Sequence, residues 1–273
     1  TAFVTLLCAA VSFGRQVPTF ESAKFEKEGN VGAKIVNGVA ATPGQFPYMV
    51  AIFSNGGPNP GGQYSHSCGG VLISDRWILT TNDCIWSGPW YDAVLSIVDL
   101  SDVDSSSPER AAFRVFRYPA YEGIVNDIAL LQLNDPIDPG NPYTQPIQIA
   151  PENGDDYIGA TCITMGWGPR FAGDLDRPGI LRFTPTNVIS TSECEERTGY
   201  SIATHICAFN GFSGPCGLTD RGGPLVCTQE GNTYLVGVLH KVLDDNCYPT
   251  VPAVFTRVSL YNLWIKYTME NNL

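Results

Sequence analysis

The stretch that decides the fold is CGLTDRGGPLVC, residues 216–227. It begins and ends with a cysteine, and two adjacent glycines precede the apolar run Pro224–Cys227. Glycine lets a backbone turn tightly and approach other groups closely, and the apolar run suits a buried strand. Taken alone, the stretch is a turn between strands, so its meaning depends on the rest of the chain.

The composition limits the classes of protein to which the chain can belong. Its 273 residues are enough for one large or two small domains, and 28 glycines with 20 prolines suit a loop-rich, all-β protein. The net charge of −11 argues against nucleic acid or an anionic membrane as a partner.

Nine cysteines are a high number for a reducing compartment. Eight lie between positions 68 and 247, and the ninth, Cys8, lies in an apolar run near the start. An even set of eight predicts four disulfides in a secreted chain, with on the order of a hundred pairings allowed by sequence alone. Metal binding by cysteine is the weaker interpretation, because no C-x-x-C or H-x-x-x-H pair occurs.

From residue 47 the chain alternates between short β-type runs and turn residues. Twelve runs are predicted, six between residues 47 and 133 and six between residues 158 and 257. Strands of this length at regular spacing indicate closed or sandwiched antiparallel sheets.

Two helices are predicted as well. The first is Ser192–Thr198, with a capping box formed by Ser192 and Glu195. The second covers residues 259–269, where apolar side chains recur at helical spacing: Leu260, Leu263, Trp264 and Tyr267.

Six further motifs occur along the chain, before and after residues 216–227. They are FPY (46–48), SHSCGGVLI (65–73), WILTTNDC (77–84), NDIALL (126–131), GWG (166–168) and PAVFTRV (252–258). Together with residues 216–227 they resemble the chymotrypsin-like, trypsin-fold family of serine proteases, from Ile35 to about Met269.

The resemblance implies a fold and a set of disulfides. It implies two antiparallel, six-stranded Greek-key β-barrels at about 35–150 and 151–257, followed by the helix 259–269, all within one domain of residues 35–273. It also selects four pairs among the cysteines: Cys68–Cys84, Cys162–Cys227, Cys194–Cys207 and Cys216–Cys247.

The same resemblance places the catalytic triad at Asp83, Asp127 and Arg221. Asp83 stands where the family has its histidine base, and Arg221 stands where it has its serine nucleophile. A guanidinium stays protonated and has no nucleophilic atom, and a carboxylate is a poor base for a hydroxyl. We therefore expect an inactive homologue. A relocated site would need one of His66, His205 or His240 and the hydroxyl of Thr219.

The surroundings of the triad are altered too. Thr219 takes the place of the oxyanion-hole glycine, and one extra residue separates Cys216 from Asp220. The primary substrate pocket maps onto Gly214, Pro215, Val242 and Ala253. None of these is acidic, and side chains at the last two would narrow the pocket.

The first 34 residues are interpreted as segments that are removed from the mature protein. Residues 1–14 are interpreted as a signal peptide with a truncated start, and residues 15–34 as a propeptide. Lys34 and Ile35 resemble the family's activation site, where cleavage frees an ammonium group that pairs with the aspartate now at Asp220. An ordinary strand at KIVNG is the alternative.

One consequence of the two triad substitutions concerns charge. A guanidinium enclosed in a cleft needs a partner. We expect Arg221 to pair with Asp83, through one or both carboxylate oxygens, and His240 or backbone donors to hold Asp127. The alternative is that the Arg221 side chain turns into solvent.

The predicted function is binding rather than catalysis. We expect a secreted, extracellular, non-catalytic serine protease homologue whose partner is another extracellular protein of a proteolytic or defence cascade, with no nucleic acid, no membrane and no cofactor. The acidic run at 99–104 maps to a Ca²⁺ site of some family members, but a solvated loop is preferred. The alternatives are a peptidase with a rearranged site and a bulk secreted structural or storage protein.

Overall fold

The computed structural model describes residues 35–54, 65–85, 91–103, 110–152, 154, 156–169, 179–200, 203–244, 247 and 249–272. The predicted signal peptide and propeptide, including Lys34, lie outside these residues. Within the described ranges, no helix has the length and apolarity needed to cross a bilayer.

The first half of the chain forms a closed, antiparallel barrel of six strands. In order around the barrel they are β2 (Met49–Ser54), β3 (Ser65–Leu72), β4 (Trp77–Thr80), β7 (Ala129–Leu133), β6 (Arg110–Arg117) and β5 (Tyr91–Leu95). All five residues of β7 are buried, Gln132 among them. That polar side chain is tolerated because its amide oxygen accepts from Arg114 Nε at 2.8 Å.

A second antiparallel ring forms from the later strands. Its order is β9 (Thr161–Gly166), β10 (Arg182–Ile189), β11 (His205–Phe209), β14 (Ala253–Arg257), β13 (Asn232–Lys241) and β12 (Pro224–Gln229), which pairs again with β9. Two short strands extend it: β1 (Val39–Ala40) beside β10, and β8 (Gln148–Ile149) beside β13. The architecture is the expected all-β pair of barrels, and all twelve predicted strands are present; β1 and β8 were not predicted.

The largest hydrophobic cluster extends across both barrels, and the second barrel also has a separate cluster around Leu225, Val236 and Phe255. The main cluster joins buried residues of the first barrel to Met165, Leu235 and Val238 of the second and to Ile265 of the C-terminal helix. Four disulfides add covalent ties: Cys68–Cys84, Cys162–Cys227, Cys194–Cys207 and Cys216–Cys247. These are the four predicted pairs.

The helices occur where they were predicted, with two corrections. Helix α1 covers Thr191–Thr198, and its N-cap is Ser190, whose hydroxyl accepts from Glu193 N at 3.1 Å. The capping box at Ser192 and Glu195 was therefore wrong by two residues, because the strand β10 ends at Ile189 and leaves Ser190 in the extended conformation that a cap requires.

Helix α2 covers Asn262–Glu270 and follows a 3₁₀ turn at Val258–Tyr261. Much of its predicted apolar stripe faces solvent, since Leu260, Leu263 and Tyr267 are exposed. The helix is docked instead through Ile265, Thr268 and the ring of Trp264, which contacts the ring of Tyr118.

The α1 cap gives a first testable prediction. Replacing Ser190 with Ala removes the acceptor for the Glu193 amide and should lower the free energy of unfolding by about 1 kcal/mol. The matched control is Ser192→Ala, which removes an exposed hydroxyl that contacts the Ser190 hydroxyl at 3.0 Å and is bonded to no backbone N–H among the described residues. It should change stability by less than about 0.5 kcal/mol. Urea denaturation of both variants checks this, and a larger loss for Ser192→Ala would restore the sequence-based cap.

Candidate active site

The three triad positions meet at the junction of the two barrels. Asp83 lies in a 3₁₀ turn, Asn82–Ile85, directly after β4, and Asp127 precedes β7. Arg221 ends the 3₁₀ turn Leu218–Asp220, just before β12. The fold therefore brings the three predicted triad positions together in one cleft.

Arg221 fills this cleft by pairing with Asp83. Its Nη1 donates to Asp83 Oδ2 at 2.9 Å, and the two side chains are 22% and 26% exposed. The predicted pair is therefore present, and the side chain does not turn into solvent. Only one carboxylate oxygen takes part, because Asp83 Oδ1 accepts from the hydroxyl of Tyr121.

Tyr121 is a member of the site that the sequence did not reveal. Its hydroxyl donates to Asp83, and burial, followed by this bond, raises the pKa of Tyr121 well above its usual range. No motif marks this residue, and only its place six positions before Asp127 could have suggested it. The Asp83 carboxylate is consequently held by two donors from opposite sides.

Asp127 is fully buried and receives two donors of its own. Oδ1 accepts from the Asp83 backbone N–H at 3.1 Å, and Oδ2 lies 2.7 Å from His240 Nδ1. Because an ionised carboxylate only accepts, Nδ1 of His240 carries the proton in this bond. The two groups expected to hold Asp127, His240 and the backbone, both do so.

The remaining two histidines are packed against other rings. The ring of His205 lies 5.2 Å from that of His240, and burial together with the charge of His240 lowers the pKa of His205 to about 4. His66 is packed between Phe53 and Trp167, and burial lowers its pKa to about 4. Among the hydrogen bonds of the described residues, none joins Thr219 to a histidine.

The four predicted pocket residues line one small cavity. Gly214, Pro215, Val242 and Ala253 surround it together with Phe255 and neighbours on β9 to β11. Its volume is about 20 Å³, close to the space of one water molecule, so a long or aromatic substrate side chain does not fit.

Asp220 is the residue expected to pair with the new terminus after cleavage. Its side chain is buried, and it directly precedes Arg221. Its carboxylate accepts from Gly168 N at 2.6 Å and from Cys216 N at 2.8 Å. A side chain at position 168 would collide with it, since an added Cβ would lie 2.3 Å from Asp220 Oδ2. Burial nevertheless raises the pKa of Asp220 to about 6, and the two N–H donors only moderate the shift.

Ile35 lies at the start of the described chain. It is fully buried, and the next residue, Val36, donates its N–H to Gly214 O at 3.1 Å. The segment therefore runs beside the pocket, although pairing of Ile35 with Asp220 after cleavage stays a prediction.

A closed six-stranded barrel joined to a second ring, with triad positions at their junction, defines a protein of the serine protease fold. The family model described as Trypsin matches residues 35–265. The chain is 32% identical to serine protease SP24D of Anopheles gambiae, over 88% of this chain and 82% of that protein. It is also 32% identical to fibrinolytic enzyme isozyme C of Lumbricus rubellus, over 85% of this chain and 98% of the relative. The chain belongs to the trypsin family.

The Arg221–Asp83 pair should contribute measurably to stability. Asp83→Ala leaves a half-buried guanidinium and the Tyr121 hydroxyl without their acceptor, so the free energy of unfolding should fall by about 1–3 kcal/mol. The control is Glu270→Ala, which breaks the exposed pair with Lys266 and should cost less than about 0.5 kcal/mol. Equal, near-zero effects in urea denaturation would contradict a stabilising plug.

Asp220 should make the free energy of unfolding decrease as the pH rises. Its folded pKa of about 6 exceeds the ordinary value of 3.8, so the folded state keeps a proton that the unfolded state loses between these values. Raising the pH from 4 to 7 should thus destabilise the uncleaved chain, on the order of 3 kcal/mol from this group. Urea denaturation should show this loss in the native chain relative to Asp220→Asn, and parallel pH profiles would refute it.

Proposed function

We propose that this protein is a secreted, non-catalytic member of the trypsin family that acts by binding another protein. The observation that carries the proposal is the ion pair between Arg221 and Asp83. It occupies the two positions where a serine protease needs a nucleophile and a base, and it uses both in a bond to each other.

Neither position retains the chemistry of acyl transfer. Attack on a peptide carbonyl requires an oxygen nucleophile and a base that accepts its proton. Arg221 offers only N–H donors, and both oxygens of the Asp83 carboxylate already accept hydrogen bonds. The cavity of about 20 Å³ also leaves no room for a long or aromatic substrate side chain.

The features that remain support an extracellular binding role. Four disulfides form and persist in oxidising surroundings, as outside the cell. Both barrels close and a hydrophobic cluster joins them, so the chain has a folded surface on which a partner could bind. A decoy, cofactor or regulator in an extracellular proteolytic or defence cascade fits these features, and its partner is a protein of that cascade.

The absence of catalysis is tested directly with a fluorophosphonate probe and with peptide and ester substrates. The purified chain should show no labelling and no turnover above background, and Arg221→Ser alone should also show none, because the base is still missing. An active trypsin-family protease serves as the positive control. Turnover that stays with the protein through purification would refute the proposal and favour a rearranged peptidase.

The binding role is tested by capture from the native extracellular fluid. The folded chain should retain a defined protein at a fixed ratio, and a reduced, unfolded sample of the same chain should not. A protein recovered in bulk quantity and without a stoichiometric partner would contradict the binding role and indicate storage.

A further inference from the structure

The backbone of the loop before Arg221 differs from the motif that it resembles, and this difference is separate from the side chains at positions 83 and 221. Three residues, Gly217, Leu218 and Thr219, separate Cys216 from Asp220, one more than in the motif that the loop resembles. Both ends of the loop are fixed. Cys216 is in a disulfide with Cys247, and its N–H donates to the Asp220 carboxylate.

Because its ends are fixed, the loop accommodates the extra residue by forming a 3₁₀ turn. Gly217 adopts φ 70° and ψ −174°, which a residue with a side chain rarely adopts, and an added Cβ would lie 3.0 Å from Pro169. Leu218–Asp220 then form a 3₁₀ turn, and the Leu218 side chain is pushed outward to 66% exposure.

The 3₁₀ turn uses the backbone N–H of Arg221 as a hydrogen-bond donor. The Arg221 N–H donates to Leu218 O at 3.2 Å, which closes the turn. In a serine protease the N–H of the nucleophile residue is one of the two donors that hold the oxyanion. An N–H has a single proton to donate, so this one is directed into its own loop and away from the cleft.

We infer that the extra residue closes the oxyanion hole, independently of Arg221 and Asp83. The inference rests on the proposed function and adds a cause for inactivity that lies in the backbone. Restoring the two side chains would let a serine oxygen attack a carbonyl carbon and pass its proton to the imidazole. The electron pair moved onto the carbonyl oxygen would still lack one of its donors. Loss of one such donor commonly lowers the rate about 10²–10³-fold.

The test compares two revertants of the full chain, after the same activation cleavage. The double variant carries Asp83→His and Arg221→Ser. The triple variant adds deletion of Leu218 together with Thr219→Gly, which restores the shorter loop. In the labelling reaction with a fluorophosphonate, the serine oxygen bonds to phosphorus, fluoride leaves, and the P=O oxygen enters the hole. We expect the triple variant to react at least about 100-fold faster. A folded triple variant that reacts no faster than the double variant overturns the inference.

A measurement on the native chain covers the case in which the triple variant fails to fold. The bond to Leu218 O should slow hydrogen exchange at the Arg221 amide at least about tenfold relative to an unstructured peptide of the same sequence. Exchange at the unstructured rate overturns the inference. Failure of the proposed function looks different, because it would appear as turnover by the unmodified chain.

Discussion

The buried carboxylate of Asp127 is the constraint on which the site depends. A charged group with no exposed surface must be satisfied by nearby donors. One donor is the Asp83 amide, which fixes the turn after β4, and the other is His240 on β13 of the second barrel. Asp127 thus links the turn that carries Asp83 to strand β13 of the second barrel, beside the pair that Asp83 forms with Arg221.

Charge explains how the cleft accommodates the side chain of Arg221. A guanidinium placed alone at the position of a serine would lack a counter-charge in a partly enclosed space. Asp83 supplies that counter-charge, and Tyr121 occupies its second oxygen. The charges of Asp83 and Arg221 compensate one another, so the cleft contains a satisfied polar network.

Much of the fold could be predicted because the signals are local or strongly patterned. All twelve predicted strands form, and the Arg221–Asp83 pair followed from opposite charges mapped to adjacent places. What was missed depends on three-dimensional context. The α1 cap depends on the residue at which β10 ends. Which side of α2 is exposed depends on how the helix packs through Ile265. The contact between Tyr121 and Asp83 depends on a loop that brings the two side chains together. Two-residue strands such as β1 and β8 carry too little pattern to be read from sequence.

The nearly filled cavity beside Gly214 affects how long such a protein would persist in an extracellular fluid. Substrate-like protease inhibitors work by offering a side chain to this pocket and a peptide bond to the nucleophile. Here the side chain finds about 20 Å³ of space, and the peptide bond meets a guanidinium. If the protein is extracellular and non-catalytic, as proposed, inhibitors of that design would not capture it, whereas they would capture an active protease of the same fold.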